Sequence, residues 1–378
     1  MQKIGYLGPP GTFSHTAALQ YAGAHGYLPV CCSDLETVFR GVENGSLAHG
    51  IVPVENSTGG SVGEALDLLS TAGGIFITGE MLLQVRQHLL VRPGTAAGEI
   101  SRLYSHPQAL AQCRRFIREN LAGVPVSETA STAAAALAVA GSPAPQAAVG
   151  SSSAAEAYGL EILHADIQDS ADNVTRFLVL GRHQPSLRGP AKTSLVFAVE
   201  DRPGALYRIL REFALRGINL TRIESRPAGG KLGDYIFFVD CMGARDDPAV
   251  DSAIGAVERS ALWLKVLGSY PACWEERAEA GDQRTAAGRL QSVRKKIDLV
   301  DHEIVHLLAL RQSLVEEVAK CKTSIEEIVD RRREEEIMAR VRALATEHDL
   351  DLRVVQQIFA LILQGSVCRQ KKLVASKG

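Results

Sequence analysis

Leu290, Val293, Ile297, Val300, Ile304, Leu307, Leu308, Leu314, Val315 and Val318 recur every three or four residues with polar side chains between them. That spacing predicts one long amphipathic helix over residues 289–323. Two further helical segments follow, near 330–348 and 352–373, with no strand material among them. Three such helices leave an apolar stripe that one copy does not cover, so residues 289–373 are expected to form an all-α, intertwined helical dimer, with a higher homo-oligomer left open.

The chain before this territory has a different grammar. Residues 1–183 alternate short apolar strands (4–7, 49–54, 75–83, 86–91 and 177–180) with Ala-rich helices that begin near Ser14, Ser61, Gln108 and Ser131, the pattern of an α/β domain. Several helices follow Gly/Ser/Thr loops: Gly11-Thr12-Phe13-Ser14, Ser57-Thr58-Gly59-Gly60-Ser61, Thr129-Ala130-Ser131-Thr132 and Ser151-Ser152-Ser153. Each reads first as an N-cap. Four in one domain also suggest convergent helix ends that hold anions. Residues 191–271 read β-α-β-β-α-β, the ferredoxin-like order. Residues 272–288 are polar and read as a linker.

The bulk properties exclude several classes. A net charge of −2 gives no field for nucleic acid or an anionic membrane. No apolar run approaches the roughly 20 residues that would span a bilayer. Seven cysteines without regular spacing read as reduced thiols in a cytoplasmic protein. Gly5-Tyr6-Leu7-Gly8-Pro9-Pro10-Gly11 has the wrong spacing for a dinucleotide loop. No P-loop and no zinc-ligand pattern occurs, so neither a cofactor nor a metal is expected.

Asp172-Asn173-Val174-Thr175-Arg176-Phe177 places a polar cluster where a loop enters an apolar strand, a common mounting for a site. Three segments go with it: Gly8 to His15, Val52-Pro53-Val54-Glu55-Asn56-Ser57 with Gly60-Ser61-Val62, and Ser105-His106-Pro107-Gln108-Ala109-Leu110. Together they resemble the catalytic domain of prephenate dehydratases. The resemblance implies a two-lobed, periplasmic-binding-protein-like α/β fold that turns prephenate into phenylpyruvate with loss of water and carbon dioxide. It puts Thr175 beside the leaving hydroxyl. Arg176 would pair with a carboxylate or fix the loop. Asn56, Ser57, Ser105, Gln108 and Asn173 would shape the cleft, and Thr12, Ser14 and Ser131 would bind anions at helix ends. Glu55 would orient the threonine or act as an acid. His15 and His106 read as capping or packing residues.

Asp201-Arg202-Pro203-Gly204-Ala205-Leu206 and Glu224-Ser225-Arg226-Pro227 resemble the two ligand motifs of ACT regulatory domains attached to these enzymes. The resemblance implies L-phenylalanine bound by Pro203, Gly204, Ala205, Leu206, Glu224, Ser225 and Arg226 at a domain–domain interface.

In the helical territory, at about 100° per residue, Arg311 and Lys322 fall within roughly 20° of one another, while Arg294 lies roughly 100° away. One pocket cannot use all three from one helix, whereas a dimer can. Asp330 with Glu334, and Ser366 with Gln370, are i, i+4 pairs. With Arg333 these residues resemble the all-helical chorismate mutase motif. By that resemblance Arg294 of the partner copy and Arg311 grip the carboxylates of chorismate, and Lys322 and Gln370 bond its ether oxygen. Glu334, Asp330 and Ser366 serve the hydroxyl and nearby backbone, and Arg333 adds a contact. Arg suits carboxylates because its fork pairs bidentately. In the commonest fusion of these parts the mutase comes first; here it follows the regulatory segment. Two alternatives stand beside the bifunctional reading: a dehydratase acting on arogenate, and a non-enzymatic amino-acid sensor.

Overall fold

The computed structural model describes residues 1–228, 234–273, 286–322 and 328–375. Most of the expected 272–288 linker and the expected helix end at Thr323 lie outside them. The described residues form two compact units, Met1–Ala278 and Glu279–Gly378.

The first unit opens with β1 (Lys3–Leu7), α1 (Phe13–His25), β2 (Leu28–Cys32), α2 (Leu35–Glu43), β3 (His49–Asn56), β4 (Gly60–Ser61), α3 (Gly63–Thr71) and β5 (Phe76–Gln84). The chain then crosses into a second lobe built from β6 (His88–Val91), β7 (Leu103–Ser105), α4 (Pro107–Gln112), α5 (Arg114–Asn120), β8 (Val126–Glu128), α6 (Thr132–Ala140), β9 (Ala147–Gly150), α7 (Ser152–Tyr158) and β10 (Glu161–His164). It returns through β11 (Val174–Gly181). The first lobe's sheet runs β2-β1-β3-β11-β5 with β4 on β3, and the second lobe's runs β10-β6-β9-β7-β8. Two crossings, β5 to β6 and β10 to β11, therefore join the lobes and leave a cleft between them.

Next come β12 (Ala191–Ala198), α8 (Ala205–Leu215), β13 (Leu220–Pro227), β14 (Tyr235–Met242), α9 (Pro248–Ser260) and β15 (Trp263–Pro271). Their sheet, β13-β14-β12-β15, is antiparallel throughout. Strand alternation splits its side chains between two faces. Leu195, Phe197, Val239 and Cys241 pack with Ile209, Phe213, Ile254 and Val257 of α8 and α9. Val196, Ala198, Ile236 and Phe238 instead share a core with Val52, Val54, Leu178 and Leu180 of the first lobe. The β-α-β-β-α-β fold is thus packed onto the lobe that carries β11. At Gly268 of β15, φ is +154°, and an added Cβ would lie 2.3 Å from the Ile77 carbonyl oxygen of β5, so this close backbone approach needs glycine.

The second unit holds α10 (Ala286–Lys320), α11 (Arg331–Glu347) and α12 (Leu352–Ala375). On α10, Ile297, Ile304, Leu307, Leu314 and Val318 remain exposed, so the repeat read from the sequence is present as a helix with an uncovered apolar stripe. Among the described residues no helix is long and apolar enough to cross a membrane.

Candidate active sites

A cavity of about 380 Å³ opens between the two lobes. Thr12, Ser14, Asn56, Asn173 and Thr175 line it together with Gln108 and Ser131. Three helices start at its wall, α4 among them with His106 as its cap. Thr12 caps α1 by accepting the His15 N–H at 3.2 Å, and Ser131 caps α6 by accepting the Ala134 N–H at 3.0 Å. Free N–H groups at such ends favour carboxylates. The loop before α3 behaves differently: Val62 occupies the cap position with no side-chain bond, and the Ser61 hydroxyl goes to Glu224.

Asn56 organises the centre of the cleft. Its Oδ1 accepts from the Thr58 and Gly59 N–H groups at 3.1 and 2.8 Å, which fixes the amide. Its Nδ2 then donates to Asn173 Oδ1 at 2.7 Å and to Thr175 Oγ1 at 2.9 Å. Thr175 receives a hydrogen bond there and keeps its own proton available. The Asn173 amide is turned so that Nδ2, buried and without a partner, is a spare donor. Gln112 Nε2 of the second lobe donates to Thr58 Oγ1 at 3.1 Å, which ties this loop across the cleft.

Four expected cleft residues lie elsewhere. Thr175 and Arg176 are consecutive in β11, so their side chains leave opposite faces. Thr175 goes with Phe177 and Val179 toward α1, and Arg176 goes with Leu178 and Leu180 toward the regulatory sheet. Glu55 follows Arg176. The register Arg176↔Glu55 and Phe177↔Pro53 skips Val54, and this bulge hands the cleft to Asn56 and turns Glu55 away toward Arg222, at 3.5 Å. Ser57 ties two backbones, donating to Asp172 O and accepting from the Val174 N–H. Ser105 is fully buried and donates to the Val149 carbonyl at 2.7 Å.

Arg176 sits in a buried ionic cluster. Its Nε meets Glu80 at 2.8 Å, Nη1 meets Asp240 of β14 at 2.5 Å, and Nη2 donates to the Tyr270 hydroxyl at 3.0 Å. Lys192 Nζ reaches Glu80 at 2.8 Å. Burial alone would push the Asp240 carboxyl up, but the Arg176 guanidinium and the Ser194 hydroxyl hold it below the usual range. Burial works against the Arg176 charge too, and Asp240, Tyr270 and Glu80 more than restore it. Burial pushes the Tyr270 phenol well above its ordinary value.

Of the expected effector residues, Gly204 caps α8 with φ +79°, a left-handed conformation, followed by Ala205 and Leu206 in the first turn and preceded by Pro203. Glu224, Ser225 and Arg226 lie on edge strand β13. Glu224 is engaged by Ser61 and Arg222, and Arg226 forks onto Asp67 with two bonds of 2.9 Å. The β13 motif therefore braces the first lobe.

In the helical unit, Arg311 bonds Ser366, and the two line a cavity of about 170 Å³ with Gln312, Ile362 and Arg369. Gln370 is buried and its Oε1 has no partner. Helix α10 ends at Lys320, so helical phase does not set Lys322; its Nζ donates to the Ile328 carbonyl at 3.2 Å. Asp330 caps α11, accepting the Arg333 N–H at 3.0 Å. The Arg333 side chain is half exposed and pairs with Glu336, and Glu334 faces a different groove, with Met338 and Leu363. Neither is among the residues lining the Arg311 cavity within this chain. Arg294 is seventeen residues before Arg311 on one continuous helix, which separates them by about 25 Å.

Profiles of three families match in order: prephenate dehydratase over residues 4–185, the ACT domain over 193–259 and chorismate mutase type II over 293–371. The chain is 44% identical over 271 residues to a bifunctional chorismate mutase/prephenate dehydratase of Aquifex aeolicus, covering 71% of this chain and 73% of that one. The chain belongs to the prephenate dehydratase family. It is also 40% identical over 281 residues to arogenate dehydratase/prephenate dehydratase 2 of Arabidopsis thaliana, covering 71% and 72%. A prephenate dehydratase from Arthrobacter aurescens, solved in complex with L-Phe, superposes with a TM-score of 0.70 at 35% identity, over 79% of this chain and 99% of that one.

The dehydratase cleft also holds a residue that sequence reading missed. Gln87 lines the cavity, is 2% exposed, and its Oε1 has no partner. It stands just before β6, where the chain has crossed between lobes. A polar residue at a lobe crossing, ahead of His-Leu-Leu-Val, was the available signal.

Proposed function

We propose that the chain rearranges chorismate to prephenate in its helical unit and converts prephenate to phenylpyruvate in the interlobe cleft, under feedback inhibition by L-phenylalanine through the ACT domain. The observation that carries the dehydratase half is the Asn56 amide, which holds Thr175 and Asn173 together and leaves one donor free on each. Thr175 donates toward the departing hydroxyl as the ring aromatises and carbon dioxide leaves. Asn173 Nδ2 and the N-termini of α1 and α6 take the carboxylates. Because these donors are preset, little reorganisation is needed as charge shifts.

The mutase reaction forms no covalent bond to the enzyme, so its site must bind two carboxylates, hold the reactive conformer and stabilise charge on the ether oxygen. Arg311 and Ser366 form the part of that site within one chain; the unpartnered Gln370 Oε1 is an acceptor that suits the substrate hydroxyl, whereas bonding the ether oxygen calls on the NH2 of the same amide. The separation of Arg294 from Arg311 and the exposed stripe of α10 support a second copy of this chain as the source of the second arginine, hence a working homodimer.

Prephenate is favoured over arogenate by the cleft's composition. Arogenate carries an ammonium group, yet no Asp or Glu is among the residues lining the cavity. Measured kcat/KM should be at least tenfold higher on prephenate than on arogenate. A preference for arogenate overturns the assignment.

A further inference from the structure

The cluster behind Thr175 has a feature that the chemistry in the cleft does not use. Glu80 and Arg176 come from the first lobe, and Lys192 and Asp240 from the ACT domain. Each domain contributes one cation and one anion, and every side chain in the quartet is at most 10% exposed. The hydrogen bonds continue inward on the ACT side: Ser194 Oγ donates to Asp240 Oδ1 at 2.5 Å and lies 2.7 Å from the Tyr270 hydroxyl. The Cys273 N–H, following β15, donates to Glu80 Oε1 at 2.9 Å. A buried quartet of this kind tolerates little sliding, because separating the domains would leave buried charges without partners.

Arg176 is also the strand neighbour of Thr175. On its side of β11 lies a cavity of about 300 Å³, lined by Glu55, Ser57, Leu82, Val174, Arg176, Lys192 and Thr221. Arg176 is therefore held by Glu80, Asp240 and Tyr270 and also lines this cavity. Moving Asp240 would let Arg176 turn into that space and would shift the peptide that Thr175 shares with it. The same stretch of β3 is coupled, since Asn56 pairs with Thr175 and Glu55 with Arg176 at the bulge.

We propose that Asp240 and Tyr270 of the ACT domain are positioning residues for the dehydratase reaction: through Arg176 they hold β11 so that Thr175 meets Asn56, and effector binding acts on the dehydratase through this contact. The proposal rests on the reading of Thr175 as the hydroxyl that serves the leaving group.

The test uses the full chain with Asp240→Asn, Tyr270→Phe and Thr175→Val, each assayed on prephenate with and without L-phenylalanine. Calorimetry of L-phenylalanine binding and the turnover of chorismate to prephenate are measured on the same samples. For Asp240→Asn the expected result is a fall in kcat of tenfold or more with KM within threefold, because positioning is expressed in the transition state. L-phenylalanine should still bind, while its inhibition weakens at least fivefold, and chorismate turnover should be unchanged. Tyr270→Phe should show the same pattern to a lesser degree, and it decides the matter if Asp240→Asn does not fold. A wild-type kcat and wild-type inhibition in folded variants, with only a lowered melting temperature, overturns the proposal and leaves the cluster a structural seam. Full activity in Thr175→Val instead removes the reading beneath it, so the two failures are distinguishable.

Discussion

Replacing Thr175 by valine keeps the side chain's shape and deletes its hydroxyl. In the cleft Thr175 Oγ1 accepts from Asn56 Nδ2 at 2.9 Å, and the same Nδ2 also reaches Asn173 Oδ1 at 2.7 Å. The Asn56 donor therefore keeps a partner in the variant. The stability loss should be that of one neutral hydrogen bond, about 0.5–1.5 kcal/mol. The effect on rate should be much larger. Loss of a positioned proton donor costs about 10²- to 10⁴-fold, or about 2.7–5.5 kcal/mol in the barrier. Phenylpyruvate formation from prephenate should fall by that factor with little change in KM, while chorismate turnover in the other unit stays at the wild-type rate. Thr175→Ser, which restores the hydroxyl, should recover activity to within about tenfold of wild type. A fall in kcat below about tenfold for Thr175→Val would refute Thr175 as the donor.

Three further outcomes are expected. Gly268→Ala places a Cβ 2.3 Å from the Ile77 carbonyl oxygen; the strain should destabilise the first unit by about 1–3 kcal/mol, read by denaturant unfolding, and unchanged stability contradicts the close packing of β15 on β5. Arg294→Ala and Arg311→Ala should each abolish mutase activity, but chains mixed before dimerisation should regain about a quarter of wild type, because half the dimers carry one intact site; no recovery contradicts the shared site. Burial holds His15, His49 and His88 below the usual imidazole value. Gly11 and Asp166 N–H groups donate to His15 and His88, so the unfolded chain binds these protons more readily. Stability should be fully present above about pH 6.5 and fall as pH drops through the lowered values. A melting temperature no lower at pH 5.5 than at 7.5 contradicts this.

The three folds were legible because their periodicities differ: mixed strand and helix, then β-α-β-β-α-β, then an unbroken helical repeat. The cleft was legible through Asn56, Gln108, Ser131, Asn173 and Thr175, which all line it. Arg176 pairs with carboxylates, but with Glu80 and Asp240 behind the cleft, as alternation along β11 requires: neighbours in a strand cannot share a face. Glu55 could not have been placed that way, since the bulge at Val54 reverses the parity of β3 and only the register reveals it. Glu80, Lys192 and Asp240 carry no local motif; their meeting with Arg176 depends on how one sheet lies on another. In the helical unit, phase placed Ser366 beside Gln370, but it did not govern Lys322, which lies past the end of α10.

Both reactions are assigned to one chain. The most direct measurement supplies purified protein with chorismate alone and follows prephenate and phenylpyruvate over time. Phenylpyruvate should appear after a transient of prephenate, slowed by added L-phenylalanine. Prephenate that accumulates without phenylpyruvate contradicts the role given to the cleft, and unconverted chorismate contradicts the role given to the helical unit.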